Sequence, residues 1–130
     1  YHCAASVLSN DVLALLDMGF GLLMECGFTE KEALYAAKAL ISGNVENVLE
    51  NGTVSSMTGP VLRGDVFTVK KHLDVLEGEE REIHRLLGKR LLRMAERKQE
   101  MGAIGRRTEA DWAVSEQLRR KYQEINDLLS

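Results

Sequence analysis

Proline occurs once in these 130 residues, at Pro60, and its surroundings constrain the fold more than any other feature. Proline interrupts helices and central strands alike. The stretch Thr58-Gly59-Pro60-Val61-Leu62-Arg63-Gly64-Asp65 therefore punctuates a sequence that is otherwise free to run as long helices. Leu, Ala, Val and Met carry most of the 45% apolar content and aromatics make up only 5%, a mix that favours helix over sheet.

The periodicity agrees. Residues 2–26 read as one long helix, apolar on most sides through Val7, Leu8, Val12, Leu13, Leu15, Leu16, Leu22 and Leu23, which makes it the expected central helix. Gly27 is a stop signal. Thr29 and Glu32 form a capping box, opening a helix to about Glu50 that Asn51-Gly52 ends. Residues 53–64 read as loop with a helical turn near 55–57. Asp65 caps a helix from Val66 to Leu76, which Gly78 closes. The next helix runs from Glu79 to Glu100, with Ile83, Leu86, Leu87, Leu91, Met94 and Ala95 as its buried stripe. Gly102 and Gly105 mark a hinge, and Thr108 with Asp111 starts a last helix to Leu129. The expected fold is all-α: one domain over residues 1–130, a bundle of about five or six helices around the first. Residues 1–100 form its core. In the segment 106–130, Leu118, Tyr122, Ile125 and Leu129 make a seam spaced four, three, four, which packs either on its own domain or on a partner chain.

The chain carries a net charge of −3, too small to dictate a nucleic-acid or membrane partner. Arg81, Arg85, Lys89, Arg93 and Arg97 line one helix, with Arg90 and Lys98 beside them, but glutamates interleave with them and no aromatic lies among them. That pattern reads as a solvated, ion-paired face. Cys3 and Cys26 have no metal-ligand spacing and sit among apolar residues, so they read as reduced, inert core thiols. His72 and His84 read as surface residues. No apolar run approaches the ~20 residues of a membrane span, and a signal peptide is not expected. The expected location is the cytoplasm. A start at Tyr1 without methionine suggests a fragment of a longer protein.

The candidate site residues form two groups. At 100° per residue, His2, Ser6, Ser9, Asn10 and Asp17 share one stripe of the first helix, with Asp11 opposite. The stripe is either a solvent face or a cleft wall. Its small polar groups in place of long charged ones suit a cleft. His2 is the candidate general acid or base, because imidazole titrates near neutrality. Asn10 is suited to orient a carbonyl or amide. In the Thr58–Asp65 stretch, Arg63 exceeds what a turn needs, and its guanidinium suits an anion or a neighbouring domain. Gly19-Phe20-Gly21 begins like a dinucleotide fingerprint, but it lies inside a helix and lacks the third glycine, so it is rejected.

Two stretches, Tyr1-His2-Cys3-Ala4-Ala5-Ser6-Val7-Leu8-Ser9-Asn10 and Thr58-Gly59-Pro60-Val61-Leu62-Arg63-Gly64-Asp65 with Val69 and His72-Leu73, resemble one family. It is the all-helical C-terminal domain of unknown function that follows a Rossmann-like domain in bacterial proteins read as NADP-dependent oxidoreductases. Those proteins are distantly similar to pyrroline-5-carboxylate reductase and ketopantoate reductase, and the fold to the C-terminal domain of 6-phosphogluconate-dehydrogenase-like enzymes. The resemblance implies that an N-terminal Rossmann domain, absent from this sequence, binds NADP. This domain would then close the substrate cleft and form a homodimer. His2 and Asn10 would be the catalytic candidates, and Ser6, Ser9, Thr58 and Arg63 would bind a small-molecule substrate. Related β-hydroxyacid dehydrogenases use a lysine in the first helix, and none stands there.

A rival resemblance rests on Leu23-Met24-Glu25-Cys26-Gly27-Phe28-Thr29, Ala33, Ala36-Ala37, Leu40 and Gly43-Asn44-Val45-Glu46. It is similar to a ubiquitin-associated domain and implies three short helices and a helical interaction or scaffold module.

Overall fold

The computed structural model describes residues 1–103 and 108–130, and the described residues form helices and connecting turns, with no strand among them. Five helices are long: α1 (His2–Glu25), α2 (Glu30–Asn51), α5 (Val66–Val75), α6 (Gly78–Ala103) and α7 (Glu109–Leu129). Two are single turns, α3 (Thr53–Ser56) and α4 (Pro60–Arg63). The all-α expectation holds. The chain divides into two compact units, Tyr1–Glu46 and Asn47–Ser130, with the boundary inside α2.

In the first unit, α1 ends as anticipated at Gly27, whose φ of 98° is a left-handed value that glycine accepts without a Cβ clash. The capping box opens α2: the Thr29 backbone N–H donates to the Glu32 carboxylate (2.8 Å), and the Glu32 N–H donates to Thr29 Oγ1 (3.3 Å). The Glu32 carboxyl is held below its usual pKa, first by the Thr29 backbone bond and then by the Thr29 hydroxyl. Little is buried here. Ala33 is the one buried residue among those described in this unit, and no residue of α1 is buried. Leu8, Leu13, Leu34 and Leu40 are all exposed, as are Cys3 and Cys26, which corrects the reading of both thiols as core residues. The same apolar character makes α1 long and apolar enough, by length and composition, to cross a membrane, contrary to the expectation that no run would be.

Gly43-Asn44-Val45-Glu46 lies within α2 rather than at a turn. Two helices of 24 and 22 residues replace the three short ones that the ubiquitin-associated pattern requires.

The second unit has the core. Met57, Val61, Val69, Leu73, Leu92, Ala95, Tyr122, Ile125 and Leu129 are buried together, with Leu62, Val66, Met94 and Leu118 packed against them. The α7 seam thus closes on its own unit, the first of the two packings left open above. Asp65 caps α5 as expected, its carboxylate accepting from Thr68 N (3.0 Å) and the Thr68 hydroxyl (2.8 Å). Thr108 and Asp111 form the capping box of α7. Gly78 opens α6 rather than closing α5. Of the expected hinge, Gly102 lies within α6 and Gly105 falls outside the described residues.

The buried stripe of α6 is rotated from the expected one. Leu92 and Ala95 face the core, whereas Leu86, Leu87 and Leu91 are 52%, 39% and 37% exposed. The reason is Gly88, which is buried against α7: a Cβ there would stand 2.8 Å from Leu129 Cδ2. A second close approach lies at Gly64, where φ is 65° and a Cβ would stand 2.9 Å from both Leu118 Cδ1 and Lys121 Cβ.

Replacing Gly64 with Ala combines left-handed strain with overpacking, and should destabilise the second unit by about 2–4 kcal/mol. A urea titration of Gly64→Ala should show a lower midpoint at an unchanged slope. An unchanged midpoint would mean that α7 does not pack this closely in solution.

Candidate functional site

The polar stripe begins in the ordinary α-helical turn His2–Ser6 and continues into a π-helical turn, Val7–Asp11, in the middle of α1. A π turn inserts an extra residue into the helical ladder and is frequent at functional sites. Ser9 and Asn10 lie in that turn. Ser9 Oγ donates back to the Ala5 carbonyl (2.7 Å), a bond that competes with the helix ladder. Asn10 Nδ2 makes a long contact with Ser6 Oγ (3.5 Å). Asn10 and Ser6 of the stripe are thus in contact; His2, Ser9, Asn10 and Asp17 are exposed and Ser6 is half-buried. The acceptor oxygen of Asn10 and the imidazole of His2 make no hydrogen bond or ion pair among the described residues. A free amide oxygen and a free imidazole within two turns can orient a polar group and exchange a proton with it.

Thr58 and Arg63 belong to the second unit. Gly59, with φ 99°, redirects the chain into Pro60, the first residue of α4. Gly64 ends that turn in the left-handed conformation and Asp65 begins α5. Both Thr58 and Arg63 are exposed. The Asp65 carboxyl lies below its usual pKa, chiefly through the Thr68 backbone bond, then the Thr68 hydroxyl, with smaller help from the charges of Arg63 and Lys121.

Two residues that sequence reasoning assigned elsewhere shape this segment. Lys98, read as part of the basic stripe, donates from Nζ to the carbonyls of Ser55 (2.7 Å) and Met57 (2.8 Å). Tyr122, read as a seam residue, donates from Oη to the Leu62 carbonyl (2.7 Å). Burial raises the Tyr122 pKa, a hydrogen bond with Gln99 offsets part of this, and the Glu96 charge adds to it. Partners 41 and 60 positions apart leave no local signal in the sequence.

The other candidates are simpler. Arg85 pairs with Glu82 (2.6 Å) and its guanidinium also caps the Leu129 carbonyl, in keeping with an ion-paired face. His84 is not a plain surface residue: it is half-buried, with its ring 5.7 Å from that of His72 in an edge-on arrangement. Among the described residues no group of three His, Cys, Asp or Glu is placed to hold a metal. The first unit has an open, mainly apolar hollow lined by Phe28, Lys31 and Tyr35. The second has a polar cleft of about 640 Å³ between α6 and α7, lined by Glu96, Gln99, Arg119 and Gln123. Neither is lined by His2, Ser6, Ser9, Asn10, Thr58 or Arg63.

The family described as Domain of unknown function (DUF2520) matches residues 1–91, and the chain belongs to that family. The match takes in α1 to α5 and the first half of α6, and so contains both candidate groups. No curated protein and no solved structure matches the chain.

The histidine pair makes the second unit sensitive to acid. Burial, and then the neighbouring His72 charge, lower the pKa of His84 from 6.5. The fold therefore favours neutral His84. That contribution is complete above the unfolded value of about 6.5 and is lost as pH falls through the depressed folded value. Thermal melts from pH 7.5 to 5 should fall less steeply for His84→Leu than for the parent chain. Parallel curves would contradict this coupling.

Proposed function

We propose that this chain is the substrate-cleft and dimerisation domain of an NADP-dependent oxidoreductase. It would work beside a Rossmann domain that this sequence does not include. The observation that carries the proposal is the π turn of α1, which bears small polar side chains on a helix that is otherwise apolar and unburied. A solvent-facing helix has no use for either property. A helix that closes a cleft uses both: the apolar residues dock against protein, and the polar turn meets the ligand.

Among the described residues there is no strand-to-helix turn to suit a dinucleotide. Gly19 and Gly21 lie within α1 rather than in a strand-to-helix turn, so binding of the cofactor is assigned to the Rossmann domain. Bound there, NADP would supply or accept a hydride at a C=O or C=N carbon. Within this chain, Asn10 and the Ser6 and Ser9 hydroxyls would orient the substrate. His2 would give a proton to the substrate oxygen or nitrogen in the reducing direction and take it back in the other. Thr58 and Arg63 would hold an anionic group of the substrate. The isolated chain would be inactive.

The exposed side chains of the first unit support the dimer. Val7, Leu8, Val12, Leu13, Leu15, Leu34, Tyr35 and Leu40 are too many apolar groups to stay in water on two helices consecutive in sequence. A second copy and the Rossmann domain are the proposed cover, in a cytoplasmic enzyme. A membrane is the competing cover for α1, but Asp11 and Asp17 lie in the central part of that helix, where a bilayer penalises charge.

In the longer protein, Asn10→Ala and His2→Ala should each lower kcat/KM by about 10²–10³-fold while leaving the melting temperature within a degree or two. Unchanged turnover in both variants would remove the stripe from the reaction. For the chain alone, sedimentation should give twice its 14.5 kDa mass, and Leu13→Glu should reduce this to a single copy. A monomeric parent chain would count against self-association, and transfer of that monomer to phospholipid vesicles would favour the membrane.

A further inference from the structure

The segment bearing Thr58 and Arg63 is held mostly by residues far from it in sequence. Within the segment the backbone bonds are all local: Arg63 N to Gly59 O, Gly64 N shared between Val61 O and Pro60 O, and Asp65 N to Pro60 O. One turn of helix bounded by two left-handed glycines is a weak structure by itself. The carbonyls that these bonds leave over, at Ser55, Met57 and Leu62, receive side-chain donors from α6 and α7: Lys98 on the first two and Tyr122 on the third. Gly64 lies beneath Leu118 and Lys121 of α7, and Met57 and Val61 are buried in the core with Leu92 and Ala95. The segment is therefore fastened before, within and after α4, while Thr58 and Arg63 stay exposed.

We propose that Lys98 and Tyr122 are positioning residues that lock the segment 58–65 in one conformation, so that Thr58 and Arg63 are presented to an anionic ligand group without prior ordering. Their role as ligand contacts rests on the function proposed above; the lock itself rests only on the contacts named. A loop fixed beforehand spares a ligand the entropy of ordering it. Both locking residues lie beyond residue 91, where the family match ends. The C-terminal part of the chain thus shapes a segment that the family definition contains.

Amide hydrogen exchange on the 130-residue chain tests the lock. In Lys98→Met and in Tyr122→Phe, the amides of Arg63, Gly64 and Asp65 should exchange roughly tenfold faster, the equivalent of one net hydrogen bond. The cores of α5 and α7 should keep their protection. Lys98→Arg, which can still reach two carbonyls, should restore the parent rates. Unchanged rates at the three amides would overturn the proposal, as would an equal loss over all helices of the unit, which would make both residues ordinary supports of the core. Arg63→Ala separates the two ideas. It should leave exchange unaltered and raise KM in the longer protein; normal KM with a normal lock would remove the anion-binding role and leave the positioning role standing.

Discussion

The second unit depends on how closely α7 lies against α6 and the turn α4. Two glycines permit that approach. Gly88 leaves room for Leu129 on one side, and Gly64 leaves room for Leu118 and Lys121 on the other. At this spacing Tyr122, Ile125 and Leu129 are nearly lost to solvent, and the Tyr122 hydroxyl reaches the Leu62 carbonyl. The apolar seam supplies the driving force, and the tyrosine hydroxyl turns that packing into control over the shape of the Thr58–Asp65 segment. Stability and the geometry of a candidate ligand segment therefore share one helix contact.

The first unit follows a different rule. Its helices are well formed at their ends, through Gly27 and the Thr29–Glu32 box, yet they bury almost nothing among the described residues. Local capping and hydrogen bonding shape such helices, and their apolar residues are left uncovered within the unit. A π turn with exposed Ser9 and Asn10 on this surface combines a docking helix with a polar turn. That combination links the structure to the proposed role in closing a cleft.

Local chemistry was legible in the sequence. The caps at Thr29, Asp65 and Thr108 each use a side chain three residues from its partner, so the residue pattern contains the whole interaction. The seam of α7 was legible as a seam, because its spacing is a property of one helix. What was not legible depends on distant partners. The buried face of α6 is chosen by Leu129, 41 positions beyond Gly88, and periodicity favoured the adjacent leucines. The roles of Lys98 and Tyr122 arise only when α6 and α7 meet α3 and α4. The stripe on α1 was found from residue type, but no residue in Val7–Asp11 signals a π turn. That α1 is apolar on most sides was legible, but not what covers it, and within its own unit none of its residues is buried.

The central claim is that α1 closes a cleft over a cofactor held by another domain. The most direct test is to sequence the reading frame upstream of Tyr1. The account predicts a strand, a Gly-x-Gly-x-x-Gly/Ala turn and a helix, the arrangement that places a pyrophosphate at a helix N-terminus. A start codon directly before Tyr1, or an unrelated domain, would contradict the oxidoreductase reading and leave a helical module whose exposed surface serves another partner.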